Sequence, residues 1–478
     1  VTKHLDGGRN DGELRVGTPP PSVESAHDLI GRFVDPGSFL PHNAGVGAVL
    51  TGTAKVNGRT VAIVAHDRTT RAASAAHFVS KIIALQEYVW ERPCPILYLF
   101  DEAPVAHLQA VFAAKRGIGH TYYNSARLAN RVPQIGVLLR SAYDAQSFLP
   151  ALCDALVLVD GVRIGLADPG WMPMLTGEVV DAEQYGDAKT HATMSGLAHA
   201  VANDPSQAID WALRYLSFLP DHAAAAPRHV AAREPERSGR SLEQIVPGES
   251  TKPFDMTALL REFIDSESLH EIRRDFAPEM ITAFARLGGR SIGIVANNSR
   301  HRGGLLFPEG CDKSAEFVEL CSRYGIPLVF VVDTPGFMPG TQMERRGSLR
   351  AAARLYRALA DATVPRITVL ARKAHSAGLY AMCGPPFRPD ACLALPTAIV
   401  SVFGEKLASQ LAKHLSRDAG TAQVDGQLRT DGGGVGSRSY EALFELKAHA
   451  SNLVFDDIVT LERLRDELST RLERMAEA

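Results

Sequence analysis

Short apolar runs that end on a polar residue or a Gly/Pro turn alternate along this chain with longer stretches whose apolar positions recur at helical spacing. The pattern predicts a helix over 26–33, strands over 48–56 and 60–65, a helix over 72–90, and a strand over 95–100 that ends on Asp101. A helical stretch over 105–130, strands over 134–139 and 155–159, and a helical region ending near Leu219 complete the first half. Asn57-Gly58, between the first two long strands, is a strong hairpin signal, because both central positions of a type I′ turn need φ > 0. Residues 220–252 are dominated by Ala, Arg, Pro, Glu and Ser, which is a linker composition.

Beyond the linker the same order of elements returns. Gly58-Arg-Thr-Val-Ala-Ile-Val-Ala65 is echoed by Gly289-Arg-Ser-Ile-Gly-Ile-Val-Ala296, and Val132-Pro-Gln-Ile-Gly-Val-Leu-Leu-Arg140 by Val364-Pro-Arg-Ile-Thr-Val-Leu-Ala-Arg372. The two echoes lie at nearly one offset, so the chain reads as a tandem duplication of one α/β domain. Two related domains whose strand-end loops face one another make a cleft suited to one reaction with two substrates.

The second half carries the most informative stretch. The run 326–332 is continuously apolar, as in a strand buried on both faces, and it stops on Asp333 before the rigid turn Thr334-Pro-Gly-Phe-Met-Pro-Gly340. Leu349, Ala352, Ala353, Tyr356 and Leu359 then follow at helical spacing. A second strand, 367–371, leads into a predicted loop, Arg372-Lys-Ala-His-Ser-Ala-Gly378, and a further helix. Small residues where a strand gives way to a helix let a ligand approach backbone N–H groups at the positive end of the helix dipole, which is how an oxyanion is stabilised without a metal. A tight turn with small residues for packing is the plainer alternative.

With 478 residues, 45% hydrophobic and 22% charged, the chain has a globular composition and the length of two domains. A net charge of -3 gives no reason to expect nucleic acid as a partner. The six cysteines show no C-x-x-C spacing and read as small core residues of a reducing compartment. No apolar run is long enough to span a bilayer and the first residues lack a signal-peptide core, so the expected location is cytoplasmic.

In GRSIGIVANN (289–298), CDKSAEFVELCSRYGIPLVFVVDTPGFMPGTQ (311–342), ATVPRITVLARKAHSAGLYAMCG (362–384) and LPTAIVSVFGEK (395–406), the chain resembles the carboxyltransferase (β) subunits of biotin-dependent acyl-CoA carboxylases. VPQIGVLL (132–139) and LTGEVVDAEQYGDAKTHATMSGLAH (175–199) extend the likeness into the first half. The resemblance implies an α/β fold made of two crotonase-like ββα-superhelix domains in tandem. The polar, Gly- and Pro-rich start of the chain reads as a disordered tail (1–25), and the resemblance makes 26–219 an N-terminal domain on the acyl-CoA side and 253–478 a C-terminal domain on the biotin side, joined by the linker (220–252). The resemblance further implies transfer of a carboxyl group from carboxybiotin, carried on a separate biotin carboxylase/carrier subunit, to the α-carbon of an acyl-CoA. Subunits of this kind form homo- or hetero-oligomers, with a hexamer expected, and need no metal or membrane. The thioester enolate and the ureido oxygen of biotin each call for an oxyanion site, because both carry developing negative charge.

Carried onto this sequence, the biotin-side amide pair falls on Ala377 and Gly378, with Gly336, Phe337, Pro339, His375 and Ser376 around the same pocket. His375 is a tempting general base, although a loop histidine is more often structural and biotin itself takes the proton in this family. The first half departs from the family in three loops. A Gly-Gly pair that holds the thioester oxygen in relatives falls on Asp144 and Ala145, where a carboxylate opposes an enolate and a side chain obstructs close approach. The Gly-Gly-Ser segment near CoA becomes Ala72, Ala73 and Ser74, and a Gly-rich turn becomes Asp101 to Ala106, with Ala103 at a CoA-side position. Lys81 stands where relatives carry a lysine near CoA. Three readings follow: an active carboxyltransferase with altered acyl specificity, a non-catalytic or half-catalytic partner in a mixed oligomer, and a biotin-independent decarboxylase.

Overall fold

The computed structural model describes residues 25–42, 48–67, 75–101, 112–401, 410 and 455–477. The predicted tail over 1–25 therefore lies outside the described residues except for Ser25, which caps the first helix, α1 (Ala26–Gly31), by accepting from the Asp28 N–H. Strands β1 (Leu40–Pro41), β2 (Val49–Val56), β3 (Arg59–His66), β4 (Ile96–Phe100), β5 (Gln134–Leu138), β6 (Ala155–Val159) and β7 (Ala200–Ala202) form one sheet in sequence order. The first three pair antiparallel and the rest parallel. Helices α2 (Ala75–Glu91), α3 (Ile118–Leu128) and α4 (Pro205–Phe218) provide parallel crossovers and cover.

The second half repeats this plan. Helix α5 (Met256–Arg261) precedes β8 (His270–Ile272), the hairpin β9 (Met280–Leu287) and β10 (Arg290–Asn297), and the parallel strands β11 (Leu328–Thr334), β12 (Arg366–His375) and β13 (Ala391–Ala394). Strand β14 (Ile399–Ser401) pairs with the end of β12, and β15 (Asp457–Ile458) with β13. Even the turn chemistry is duplicated. Both residues of each hairpin turn are left-handed, Asn57-Gly58 at φ 48° and 73° and Gly288-Gly289 at φ 59° and 80°. A single upstream carboxylate receives both turn amides in each half: Asp35 at 2.9 and 2.8 Å, and Asp265 at 2.9 and 2.7 Å. The Asn-Gly signal and the duplication predicted from sequence are thus both present.

Alternation along β11 divides two cores, as a strand buried on both faces requires. Leu328, Phe330 and Val332 face α6 (Pro308–Arg323) and α7 (Ser348–Asp361) in a cluster that continues through the first half. Val329 and Val331 face a second cluster closed by Leu464, Leu468 and Leu472 of α9 (Leu461–Glu477) and by Leu242 and Ile245 of the connecting segment. The six cysteines are free and buried, and burial pushes their thiols up, to about 11 for Cys94 and Cys383 and about 12 for Cys311 and Cys392.

Four imidazoles are held neutral by burial: His66 and His375 at about 4, His270 at about 3, and His199 well below its ordinary value. The unfolded chain takes up protons below its ordinary value of 6.5 that these groups refuse, so stability present above pH 6.5 is lost as the pH falls toward 4. Asp154 acts in the opposite sense, since burial raises it from 3.8 to about 6 and the folded state gains from acid over that interval. Four imidazoles outweigh one carboxyl, giving a net loss on the order of 5 kcal/mol between pH 6.5 and 5. Thermal melts across that range should show a midpoint that falls steadily below pH 6.5; a flat midpoint down to pH 5 contradicts the assignment.

Candidate active site

The sequence places Asp333 and Arg372 at the ends of adjacent parallel strands, and the structure joins them. Arg372 Nη2 stands 2.9 Å from Asp333 Oδ2 and Nε 3.1 Å from Oδ1, with both side chains fully buried. Arg372 Nη1 also donates to the carbonyls of Pro247, Glu249 and Lys252 at 3.2, 2.9 and 2.7 Å, which straps the connecting segment beneath the strand ends. Asp333 accepts from the Lys373 N–H at 3.2 Å and donates its own N–H to Asn297 Oδ1 at 3.1 Å. A buried charge pair needs such added hydrogen bonds to offset desolvation. They also explain a correction: 372–375 is strand, where the sequence predicted a loop, because Arg372 and Lys373 find partners in the interior and β12 runs on to pair with β14.

At His375 the strand gives way to α8 (Ser376–Ala381). Ser376 makes the corner with a left-handed φ of 49°, a conformation that costs a non-glycine residue free energy and that clusters at functional sites. The first-turn N–H groups of Ala377 and Gly378 have no carbonyl one turn back inside the helix. Opposite them Gly336 adopts φ 112°, and a Cβ built on Gly378 would lie 2.7 Å from its Cα and 3.0 Å from Thr334 Cγ2. Glycine at 378 is therefore demanded by the approach of the two loops. The 334–340 turn is pinned to a neighbouring segment, Leu306 N–H donating to Gly336 O and Met338 N–H to Leu306 O, both at 3.0 Å.

Phe337 is half-buried and stands edge-on to Tyr356, while Pro339 is exposed. The Tyr356 hydroxyl donates to Ala377 O at 3.2 Å, which fixes the plane of the Ala377–Gly378 peptide. His375 is buried, its Nδ1 is 2.9 Å from Ser401 Oγ, and burial lowers its pKa to about 4. It is a neutral, hydrogen-bonded core histidine.

The first half keeps a shadow of this arrangement. Asp101 and Arg140 occupy the positions of Asp333 and Arg372, but stand 3.9 Å apart and partly exposed. Asp144 is left-handed at φ 53°, matching Ser376, and the Tyr122 hydroxyl donates to Ala145 O as Tyr356 does to Ala377 O. The structural counterparts of Ala377 and Gly378 are thus Ala145 and Gln146, one residue beyond the pair that the gapless sequence reading selects. Asp144 tolerates the left-handed corner because a short polar side chain is the least strained substitute for glycine there, and its carboxylate is exposed. Lys81 is buried with Nζ donating to Val49 O at 3.0 Å, so it braces β2. Ala72, Ala73, Ser74 and Ala103 lie outside the described residues.

Sequence reasoning did not pair Asp333 with Arg372 or single out Tyr122, Tyr356 and Gln146. The duplicated spacing held the signal for the first pair, since Arg140 recurs as Arg372 at the end of an echoed segment and Asp101 recurs as Asp333 at the same offset.

Residues 26–478 match the carboxyl transferase domain family. The chain is 38% identical over 432 residues to the uncharacterized carboxylase YngE of Bacillus subtilis (strain 168), covering 89% of this chain and 83% of that protein. It is 33% identical to the carboxyltransferase subunit of propionyl-CoA carboxylase of Haloferax mediterranei, covering 85% and 82%. Among solved structures, the transcarboxylase 12S crystal structure with methylmalonyl-coenzyme A and methylmalonic acid bound matches with a TM-score of 0.84 at 29% identity, over 95% of this chain and 89% of that one. No helix among the described residues is long and apolar enough to cross a membrane. With its two α/β halves, its paired corner loops and these relatives, the chain belongs to the carboxyl transferase family, as an acyl-CoA carboxylase β-subunit carboxyltransferase with two crotonase-like domains.

Proposed function

We propose that this chain transfers a carboxyl group between carboxybiotin, held on a separate carrier protein, and the α-carbon of an acyl-CoA. In this reading the second half takes the biotin side and the first half the acyl-CoA side. The observation that carries it is the corner at Ser376–Gly378, where a left-handed turn, a tyrosine-held peptide and a glycine packed on Gly336 present amides toward the loop end. Those residues suit a planar ureido oxygen: Ala377 and Gly378 offer N–H donors, Phe337 an apolar wall, and the neutral His375 adds no competing charge. When bound, carboxybiotin supplies the carboxyl group and a nitrogen that accepts the α-proton. The chain's own contribution is to hold the ring, orient its oxygen toward the amides and keep water out of the cleft.

Assembly into an oligomer fits the surface. Leu166, Trp171, Met174, Leu175 and Val179 are 56–88% exposed along one segment of the first half, an apolar stretch that a second copy of the chain would cover.

The transfer can be tested without the natural carrier. Purified chain incubated with methylmalonyl-CoA or malonyl-CoA should release propionyl-CoA or acetyl-CoA when free biocytin is added, as followed by chromatography. Absence of biocytin-dependent conversion across short carboxyacyl-CoA esters would overturn the proposal.

A further inference from the structure

Gln146 carries an unused donor where the second half has only backbone. Three observations fix it as the counterpart of Gly378. The strands leading to both corners occupy equivalent places in their sheets, β5 beside β4 and β12 beside β11. The corner residues Asp144 and Ser376 share a left-handed φ of 53° and 49°. Tyrosine hydroxyls bond the carbonyls of Ala145 and Ala377. The residue that follows the shared alanine is glutamine in one half and glycine in the other.

In the first half the peptide before Gln146 is occupied at both ends. Its carbonyl accepts from Tyr122, and its N–H donates to Tyr143 O at 3.1 Å to close a tight turn. That amide is therefore committed to the turn. The side chain of the same residue supplies a replacement: Gln146 Nε2 is buried from solvent and has no hydrogen-bond acceptor among the described residues. A buried amide N–H without an acceptor is costly, and a ligand oxygen that satisfies it recovers that cost. Side-chain amides serve as oxyanion donors as well as backbone does.

We infer that Gln146 Nε2 donates to the carbonyl oxygen of an acyl thioester on the acyl-CoA side, in place of a backbone amide. This rests on the function proposed above, and it assigns the altered corner a working role despite the exposed carboxylate of Asp144. The donor would also sense acyl-group shape, because a flexible side chain sets the oxygen's position where glycine backbone would fix it.

Calorimetry on the full chain with matched ligands tests this: acetyl-, propionyl- and butyryl-CoA against S-ethyl-, S-propyl- and S-butyl-CoA, which replace the carbonyl with CH2. The unaltered chain should bind its preferred thioester about five- to tenfold more tightly than the matching thioether. In Gln146→Leu that ratio should fall to about one, while the affinity for free CoA stays constant. Gln146→Glu, which keeps the shape but presents acceptors, should invert the ratio and serves if the leucine variant fails to fold. A ratio unchanged in both variants overturns the inference and leaves the acyl-CoA reading intact. If the unaltered chain binds neither esters nor thioethers, both fall together.

Discussion

Gly378→Ala should lower the rate of carboxyl transfer by about two to three orders of magnitude, the loss seen when an oxyanion donor is removed or displaced. The added Cβ would sit 2.7 Å from Gly336 Cα and 3.1 Å from its nitrogen, and neither atom belongs to a flexible side chain that can swing away. Something in the backbone must move, and the corner is where it gives. Because the damage is confined to the biotin side, kcat should collapse while binding of acyl-CoA esters is unchanged. Ala377→Gly, which removes a side chain without adding one, is the matched control and should retain most activity. A Gly378→Ala variant within about threefold of the parent would remove position 378 from the transfer machinery.

Arg372→Met should destabilise the fold by about 3–5 kcal/mol, the range for stranding one member of a buried ion pair. Asp333 would keep a fully buried carboxylate, and the carbonyls of Pro247, Glu249 and Lys252 would lose a shared donor. Chemical denaturation measures the loss directly. The corresponding change in the first half, Arg140→Met, should cost about 1 kcal/mol or less, since that pair is 3.9 Å apart and partly solvated. Equal losses in the two variants would show that burial does not set the difference. Adding Asp333→Leu to Arg372→Met should restore part of the stability, because removing both charges avoids the stranded carboxylate.

The sequence made the architecture legible where local chemistry and global fold agree. Asn57-Gly58 named its own turn, and the repeated Gly-Arg-x-x-x-Ile-Val-Ala segments disclosed the duplication before any contact was known. Strand β12 was read too short because Arg372 and Lys373 look like surface residues until Asp333 and the carbonyls that receive them are in view. Matching to a glycine pair puts the acyl-side pair on Asp144 and Ala145, whereas the left-handed φ that Asp144 shares with Ser376 sets Ala145 and Gln146 opposite Ala377 and Gly378, a correspondence of backbone angles that residue identities do not carry. Lys81 is placed near CoA by the resemblance alone. Its inward bond to Val49 O depends on a strand thirty residues away in sequence and has no local signature. Tyr122 and Tyr356 read from sequence only as positions on helices, because a hydroxyl that reaches across to a neighbouring corner has no local signature either.

The segment that joins the halves is clamped along its length. Arg59 donates to Leu216 O and Pro220 O, Arg286 to Ser217 O and Arg228 O, and Arg372 secures its far end. Across the seam Asp154 accepts from Arg323 at 2.9 Å and from the Tyr324 hydroxyl at 3.2 Å. Two separate polypeptides meeting at this seam would forfeit translational and rotational freedom each time they associated, and their mutual surface would have to compensate for it. Covalent fusion removes that demand by holding each half at high effective concentration for the other. With that demand removed, the two corners need not be alike, and they are not: one closes on Gly378 and the other on Gln146.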